Sequence, residues 1–234
     1  MSAPEVVVVA DAAALAEEAA ARIEAVIRAA SSERPAVVAL SGGSTPRGAY
    51  ERLAAAGLPW QRALLVFGDE RLVPPHHPAS NYRMVREALL EPGGVPAGRV
   101  HRIRGELAPW TAAALAEAEL RRAAPGVWAA VDLNLLGIGE DGHTASLFPG
   151  APELAERSRA MVPVHRRGLP QPWRASMSLP ALNASRAVLF LADGAAKAGV
   201  VRRAIAGDAA LPSGLVRPAG PLTWLVTEAA AAEL

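Results

Sequence analysis

The segment Gly137-Ile138-Gly139-Glu140-Asp141-Gly142-His143 carries the most reactive side-chain combination in the chain. Imidazole, with an ordinary pKa of roughly 6.5, accepts a proton at neutral pH. A carboxylate in the same turn can orient the ring or stabilise its charged form. His143 is therefore a candidate general base, with Asp141 as its partner. The same string matches G-x-G-x-x-G, which by itself suggests a dinucleotide site. Its context argues against that. Glu140 and Asp141 stand where a pyrophosphate would approach, and Pro149 and Pro152 interrupt the segment before a long helix can open. The other histidines have no such company. His76 and His77 lie in a proline-rich loop, and His101 and His165 lie in or beside predicted strands. No H-x-x-x-H or H-E-x-x-H spacing occurs, so no metal and no other cofactor is expected.

Ser41-Gly42-Gly43-Ser44-Thr45-Pro46 follows a predicted strand and opens a predicted helix. Glycines at 42 and 43 allow backbone N–H groups to approach a ligand, and Ser44 and Thr45 add hydroxyls. The helix N-terminus turns its partial positive charge to the same place, which makes an anion site. It is not a Walker A loop, because no Gly-Lys-Ser/Thr follows. The plain alternative is an ordinary capped turn. Nor is it a nucleophile elbow, since Pro46 stands where G-x-S-x-G needs its last glycine. Gly68-Asp69-Glu70-Arg71 puts a guanidinium just past another strand, where it can hold a phosphate or polarise a carbonyl. The plain alternative for Arg71 is a surface ion pair with Asp69 or Glu70. Lys197 is the single lysine beside 23 arginines, and it falls in the first turn of a predicted helix, where a cation works against the dipole. That points to an anion nearby. Arg174 precedes a predicted strand and is a further cation, or a plain surface charge.

Strands are expected at Val6–Val9, Ala36–Leu40, Arg62–Phe67, Val131–Ile138, Met161–Val164, Ala175–Leu179, Arg186–Ala192 and Thr223–Val226. Helices are expected after the cap Asp11, over Arg47–Ala56, from the cap Ser80 through Leu90, over Pro109–Ala124, from about Ala195 to Ala206, and briefly at the C-terminus. Strands alternating with helices imply an α/β fold with a mostly parallel sheet, whose ligands sit beyond the carboxyl ends of the strands. Three polar turns, SGGSTP, GDER and GEDGH, fall at such ends.

Composition narrows the classes further. At roughly 150 residues per domain, 234 residues are read as one domain, 1–234. An apolar fraction of 51% with 20% charged residues excludes a disordered chain. A net charge of +1 offers no field for nucleic acid or a membrane surface. The absence of cysteine excludes disulfides, thiolate metal sites and a cysteine nucleophile. No apolar run reaches the ~18 residues of a membrane span. The N-terminus lacks the basic start of a secretory signal, so a cytoplasmic protein is expected.

The strings SGGSTP, GDER with the following VP and SNY, LLGIGEDGHTASLFPG, SMSLPALNASRAVLFLADGAAK and LVRPAGPLTWL resemble the 6-phosphogluconolactonases, in order and over nearly the whole chain. The resemblance implies a Rossmann-like sheet with helices on both faces, shared with glucosamine-6-phosphate deaminases and ribose-5-phosphate isomerases. It also implies hydrolysis of 6-phospho-D-glucono-1,5-lactone in the oxidative pentose phosphate pathway. By resemblance His143 is the general base with Asp141 beside it, and Arg71 is a site cation. Gly42, Gly43, Ser44, Thr45, Arg174 and Lys197 form the phosphate cradle, with Asp69 among the substrate-binding residues. The partner is a small phosphosugar lactone, and the protein is a monomer or small homo-oligomer. A deaminase-like isomerase of the same fold is the rival. Its pattern carries a glutamate soon after the histidine, where this chain has Thr144-Ala145-Ser146-Leu147-Phe148, and Asp-Glu-Tyr in place of Asp69-Glu70-Arg71. A non-catalytic phosphosugar sensor is the other alternative. Such modules come attached to a DNA-binding domain, for which neither end is expected to leave room.

Overall fold

The computed structural model describes residues 3–234. In chain order they form β1 (Glu5–Val9), α1 (Ala12–Ala29), β2 (Ala36–Leu40), α2 (Ser44–Ala55), β3 (Ala63–Phe67), β4 (Asp69–Arg71), α3 (Asn81–Val85), β5 (Val100–His101), α4 (Pro109–Ala123), β6 (Leu133–Gly137), β7 (Met161–His165), β8 (Trp173–Met177), α5 (Leu179–Ala184), β9 (Val188–Ala192), α6 (Ala198–Ile205) and β10 (Leu222–Thr227).

Seven strands make one sheet in the order β1-β10-β9-β6-β2-β3-β5, with every pairing parallel. The interior strands are apolar without alternation, as a parallel sheet covered on both faces requires. β2 (AVVAL), β9 (VLFLA) and β10 are buried at every position. Phe190 and Trp224, partners in register on β9 and β10, stack with ring centroids 4.0 Å apart. Such a pair adds about 1 kcal/mol beyond its buried area. Edge strand β1 instead leaves Val6 and Val8 exposed. α1 buries Leu15, Ala19, Ile23 and Ile27, one stripe at helical spacing. Asp11 caps it, its carboxylate accepting from the N–H groups of Ala13 and Ala14 at 2.9 Å.

The chain runs from β2 outward to β3 and β5, then returns on the other side of β2 to β6. Adjacent strands β2 and β6 thus part in opposite directions, and a crevice opens beyond their carboxyl ends. A second, antiparallel sheet of three strands, β4-β8-β7, stands beside this end. It is joined to the first where the N–H of Met177 donates to the carbonyl of Gly68.

Several local expectations are corrected. Asp69–Arg71 is a strand rather than a loop, because it pairs with β8; three residues are too few to show a period. Arg174 lies inside that partner strand, not before it. α2 starts at Ser44, since Pro46 is tolerated in a first turn. The helix after Ser80 is α-helical only to Val85 and continues as a π-turn to Leu90. β5 and α5 are too short to stand out in the sequence. The alanine-rich C-terminus forms turns rather than a helix, as expected of a segment too short to offset the cost of nucleation. Among the described residues no helix is long and apolar enough to cross a membrane.

Candidate active site

The crevice is a cavity of about 640 Å³. All the residues singled out in the sequence reach it: the turn 42–45, Asp69, Arg71, Asp141, His143, Arg174 and Lys197. β2 delivers the glycine turn, β6 the histidine loop, β9 the approach to Lys197, and the small sheet its arginines. β2, β6 and β9 are neighbouring strands of one parallel sheet, so their ends converge by topology alone.

His143 is held on several sides. Its Nδ1 lies 2.5 Å from Asp141 Oδ1, and its own N–H donates to the same oxygen at 3.1 Å. Its ring packs against Phe148, centroids 4.8 Å apart. Beneath it lies Gly139, where a Cβ would fall 2.1 Å from Nδ1. That contact is the reason for the middle glycine of the G-x-G-x-x-G string. With Nδ1–H donated to the carboxylate, Nε2 is left as the proton acceptor. Burial favours the neutral form of Asp141, but the His143 backbone N–H and then its ring outweigh this and hold the carboxyl below its usual range. An ionised Asp141 stabilises the imidazolium that proton abstraction would create.

The cations are gathered without salt bridges among the described residues. Arg71 and Arg174 are direct partners across the antiparallel β4–β8 pair, a placement that sets like charges side by side. Burial, and then the charge of Arg71, pull Arg174 down from the ordinary arginine value. Elsewhere arginines take carboxylates one helical turn away, as in Arg22–Glu18 and Arg121–Glu117. Among the described residues none of Arg71, Arg166, Arg174 or Lys197 makes a salt bridge, although all four line the cavity. Lys197 occupies the N-cap position of α6. Gly43 gives α2 no side-chain cap, so its first N–H groups are left for an anion. Of the seven buried side-chain polar atoms without a partner among the described residues, four belong to cavity residues: Ser41, Arg71, Asn81 and Arg174.

The two acids of GDER do not form the surface ion pair that the sequence allowed for Arg71. Asp69 is buried and accepts from Ser146 Oγ at 2.5 Å and from Asn81 Nδ2 at 3.3 Å. Glu70 is buried and forms no salt bridge with the described arginines, binding backbone groups of its own strand and of the segment that follows. The guanidinium of Arg71 instead donates to the carbonyl of Ala79 at 2.8 Å.

Sequence reasoning overlooked Phe148, Arg166 and Asn81. Phe148 lies under the guanidinium carbons of Arg166 and Arg174, at 5.2 and 5.7 Å from its centroid, while its ring also meets His143. It thus ties the histidine loop to the arginine sheet. Both Phe148 and Asn81 stand inside the strings that carried the resemblance, but nothing in a single sequence says which of those residues reach the cavity. Arg166, in the β7–β8 hairpin, left no signal of its own.

The family model described as glucosamine-6-phosphate isomerases/6-phosphogluconolactonase matches residues 10–224. A 6-phosphogluconolactonase of a Nostoc species is 41% identical over 204 residues, 84% of each chain. The human 6-phosphogluconolactonase is 41% identical over 201 residues, 82% of this chain and 78% of that one. A solved structure of 6-phosphogluconolactonase from Trypanosoma brucei superposes with a TM-score of 0.88 at 30% identity, covering 99% of this chain and 98% of that one. Sequence and architecture agree, and the chain belongs to the glucosamine-6-phosphate isomerase/6-phosphogluconolactonase family.

Proposed function

We propose that this protein hydrolyses 6-phospho-D-glucono-1,5-lactone to 6-phospho-D-gluconate, as its relatives' names describe, in the oxidative pentose phosphate pathway. One observation carries the reading: an imidazole oriented by an ionised carboxylate shares a cavity with cations that form no salt bridge among the described residues. An activated ester tethered by a phosphate answers both halves of that site. His143 Nε2 takes a proton from water as its oxygen attacks the lactone carbonyl. The tetrahedral intermediate then collapses, the ring C–O bond breaks, and the imidazolium returns the proton to the departing oxygen. A positioned base contributes ~10²–10⁴-fold.

The uncapped N-terminus of α2 with Arg174 and Lys197 holds the phosphate. Arg71, beside Arg174, faces the polarised carbonyl oxygen, where a donor contributes roughly 10²–10³-fold. Asp69, an acceptor held by Ser146 and Asn81, serves sugar hydroxyls rather than the phosphate. Binding energy at the phosphate orients the reacting end. The reading takes residues 1–234 as one unit, supported by an apolar cluster that includes residues of both sheets. Every residue it uses lies on one copy of the chain. A cytoplasmic site of action goes with it, because a sugar phosphate does not cross a membrane unaided.

A coupled assay that generates the lactone in place and follows acid release tests the activity. Release no faster than spontaneous hydrolysis would refute it. Lys197→Ala is expected to raise KM for the phosphorylated lactone roughly tenfold to a hundredfold, the worth of a charge-assisted contact, with kcat little changed. Equal effects on unphosphorylated gluconolactone would remove Lys197 from the phosphate site. The chemistry is proposed to need no metal. Among the described residues no three His, Asp or Glu side chains converge as ligands. Prolonged chelation should leave the rate unchanged, and a loss restored by adding a divalent cation would overturn that part.

A further inference from the structure

Glu70 is almost completely buried, yet among the described residues no cation pairs with it. Its carboxylate accepts from the backbone N–H of Arg71 and of Asn81, both at 2.7 Å, from that of Tyr82 at 2.8 Å and from Ser80 Oγ at 3.0 Å. Burial pushes this carboxyl up, to about 7, against the pull of those donors. All four groups donate to it, so the ionised form is the one that satisfies them. The effect is to close residues 71–82 into a strap whose two ends meet on one side chain.

What the strap then does is set by Asn81. Its Nδ2 donates to the carbonyl and carboxylate oxygens of Asp69, at 3.0 and 3.3 Å. Both partners are acceptors, which fixes the amide's orientation. Its Oδ1 therefore points the other way, and it has no hydrogen-bond partner among the described residues. It rests on Gly42 so closely that a Cβ there would fall 1.9 Å from it. A chain of contacts runs from Glu70 through the Asn81 backbone and amide to the first glycine of the turn that opens α2.

We propose that Glu70 is a positioning residue, which through Asn81 fixes the turn 42–45 against which an anionic ligand is held. The proposal rests on the phosphosugar reading given above. Gln at position 70 keeps the size but offers Nε2–H to donors already there, leaving the Tyr82 N–H unanswered. Ala at position 81 keeps all four bonds to Glu70 and removes only the contact with Asp69 and Gly42.

The test compares wild type, Glu70→Gln and Asn81→Ala by calorimetric titration with 6-phospho-D-gluconate, by lactone kinetics and by thermal melting. Both variants are expected to bind 6-phospho-D-gluconate about tenfold more weakly, the effect of one displaced polar contact, with kcat at saturation within about threefold of wild type. A merely structural role would lower the melting temperature and leave the Kd of the folded protein unchanged, and that result overturns the proposal. So does an unchanged Kd in Asn81→Ala alone, whose strap bonds are intact. If the wild type binds 6-phospho-D-gluconate but hydrolyses no lactone, the hydrolase reading falls and the positioning role is still decided by the two Kd values. If the wild type binds no phosphorylated ligand, both fall.

Discussion

Replacing His143 by alanine is expected to lower kcat by ~10²–10⁴-fold, while the Kd for 6-phospho-D-gluconate changes little. The asymmetry follows from the geometry. The imidazole is committed to Asp141 through Nδ1 and to Phe148 through its face, so its free nitrogen is the one group removed. The cations proposed to bind the phosphate come from other elements, Arg174 from β8 and Lys197 from the N-cap of α6. Spontaneous lactone hydrolysis must be subtracted at each pH, because it sets the floor against which the loss is read. A variant with near wild-type turnover after that correction would show that water is activated elsewhere.

The second large effect is expected at a residue with no side chain. Gly139→Ala introduces a Cβ 2.1 Å from His143 Nδ1, 2.2 Å from Cε1 and 2.9 Å from Asp141 Oδ1. The loop has little freedom to retreat. The N–H of Gly139 donates to the carbonyl of His143 and that of Gly142 to the carbonyl of Gly139, both at 2.9 Å, while Thr144 Oγ1 ties back to the carbonyl of Gly137. The ring must therefore move, and a displacement of about 1 Å costs on the order of 10²-fold in rate. KM should change much less, since the residues proposed to hold the phosphate lie on other elements. Steady-state kinetics, with circular dichroism to verify the fold, separates this from general damage. A Gly139→Ala enzyme of normal kcat would mean that the ring is not held where catalysis needs it.

The same glycine shows how a sequence match and its physical cause can differ. The spacing G-x-G-x-x-G was visible at once, and its acids ruled out a pyrophosphate. Its purpose became visible only in three dimensions, because the contact that demands Gly139 comes from a histidine whose side chain folds back over it. Asn81 and Gly42 are a longer-range case. They belong to separate elements, the turn after β2 and the start of α3, and their contact exists only because β2 and β3 are neighbours.

By itself the sequence determined what depends on local chemistry. Unalternating apolar runs specify strands buried on both faces, caps such as Asp11 and Ser80 specify where helices start, and a histidine close to an acid marks a candidate base. The motif strings specify the family. Tertiary structure alone decided which charges share a subsite and which are spent on the scaffold. Arg71 and Arg174, 103 positions apart in the numbering, became neighbours through the β4–β8 register. Glu70, one residue from Arg71, turned away to close a strap. The reason is that side-chain pairing follows strand register and burial. Both are fixed by which strands come to lie side by side, a property that no short window of residues contains.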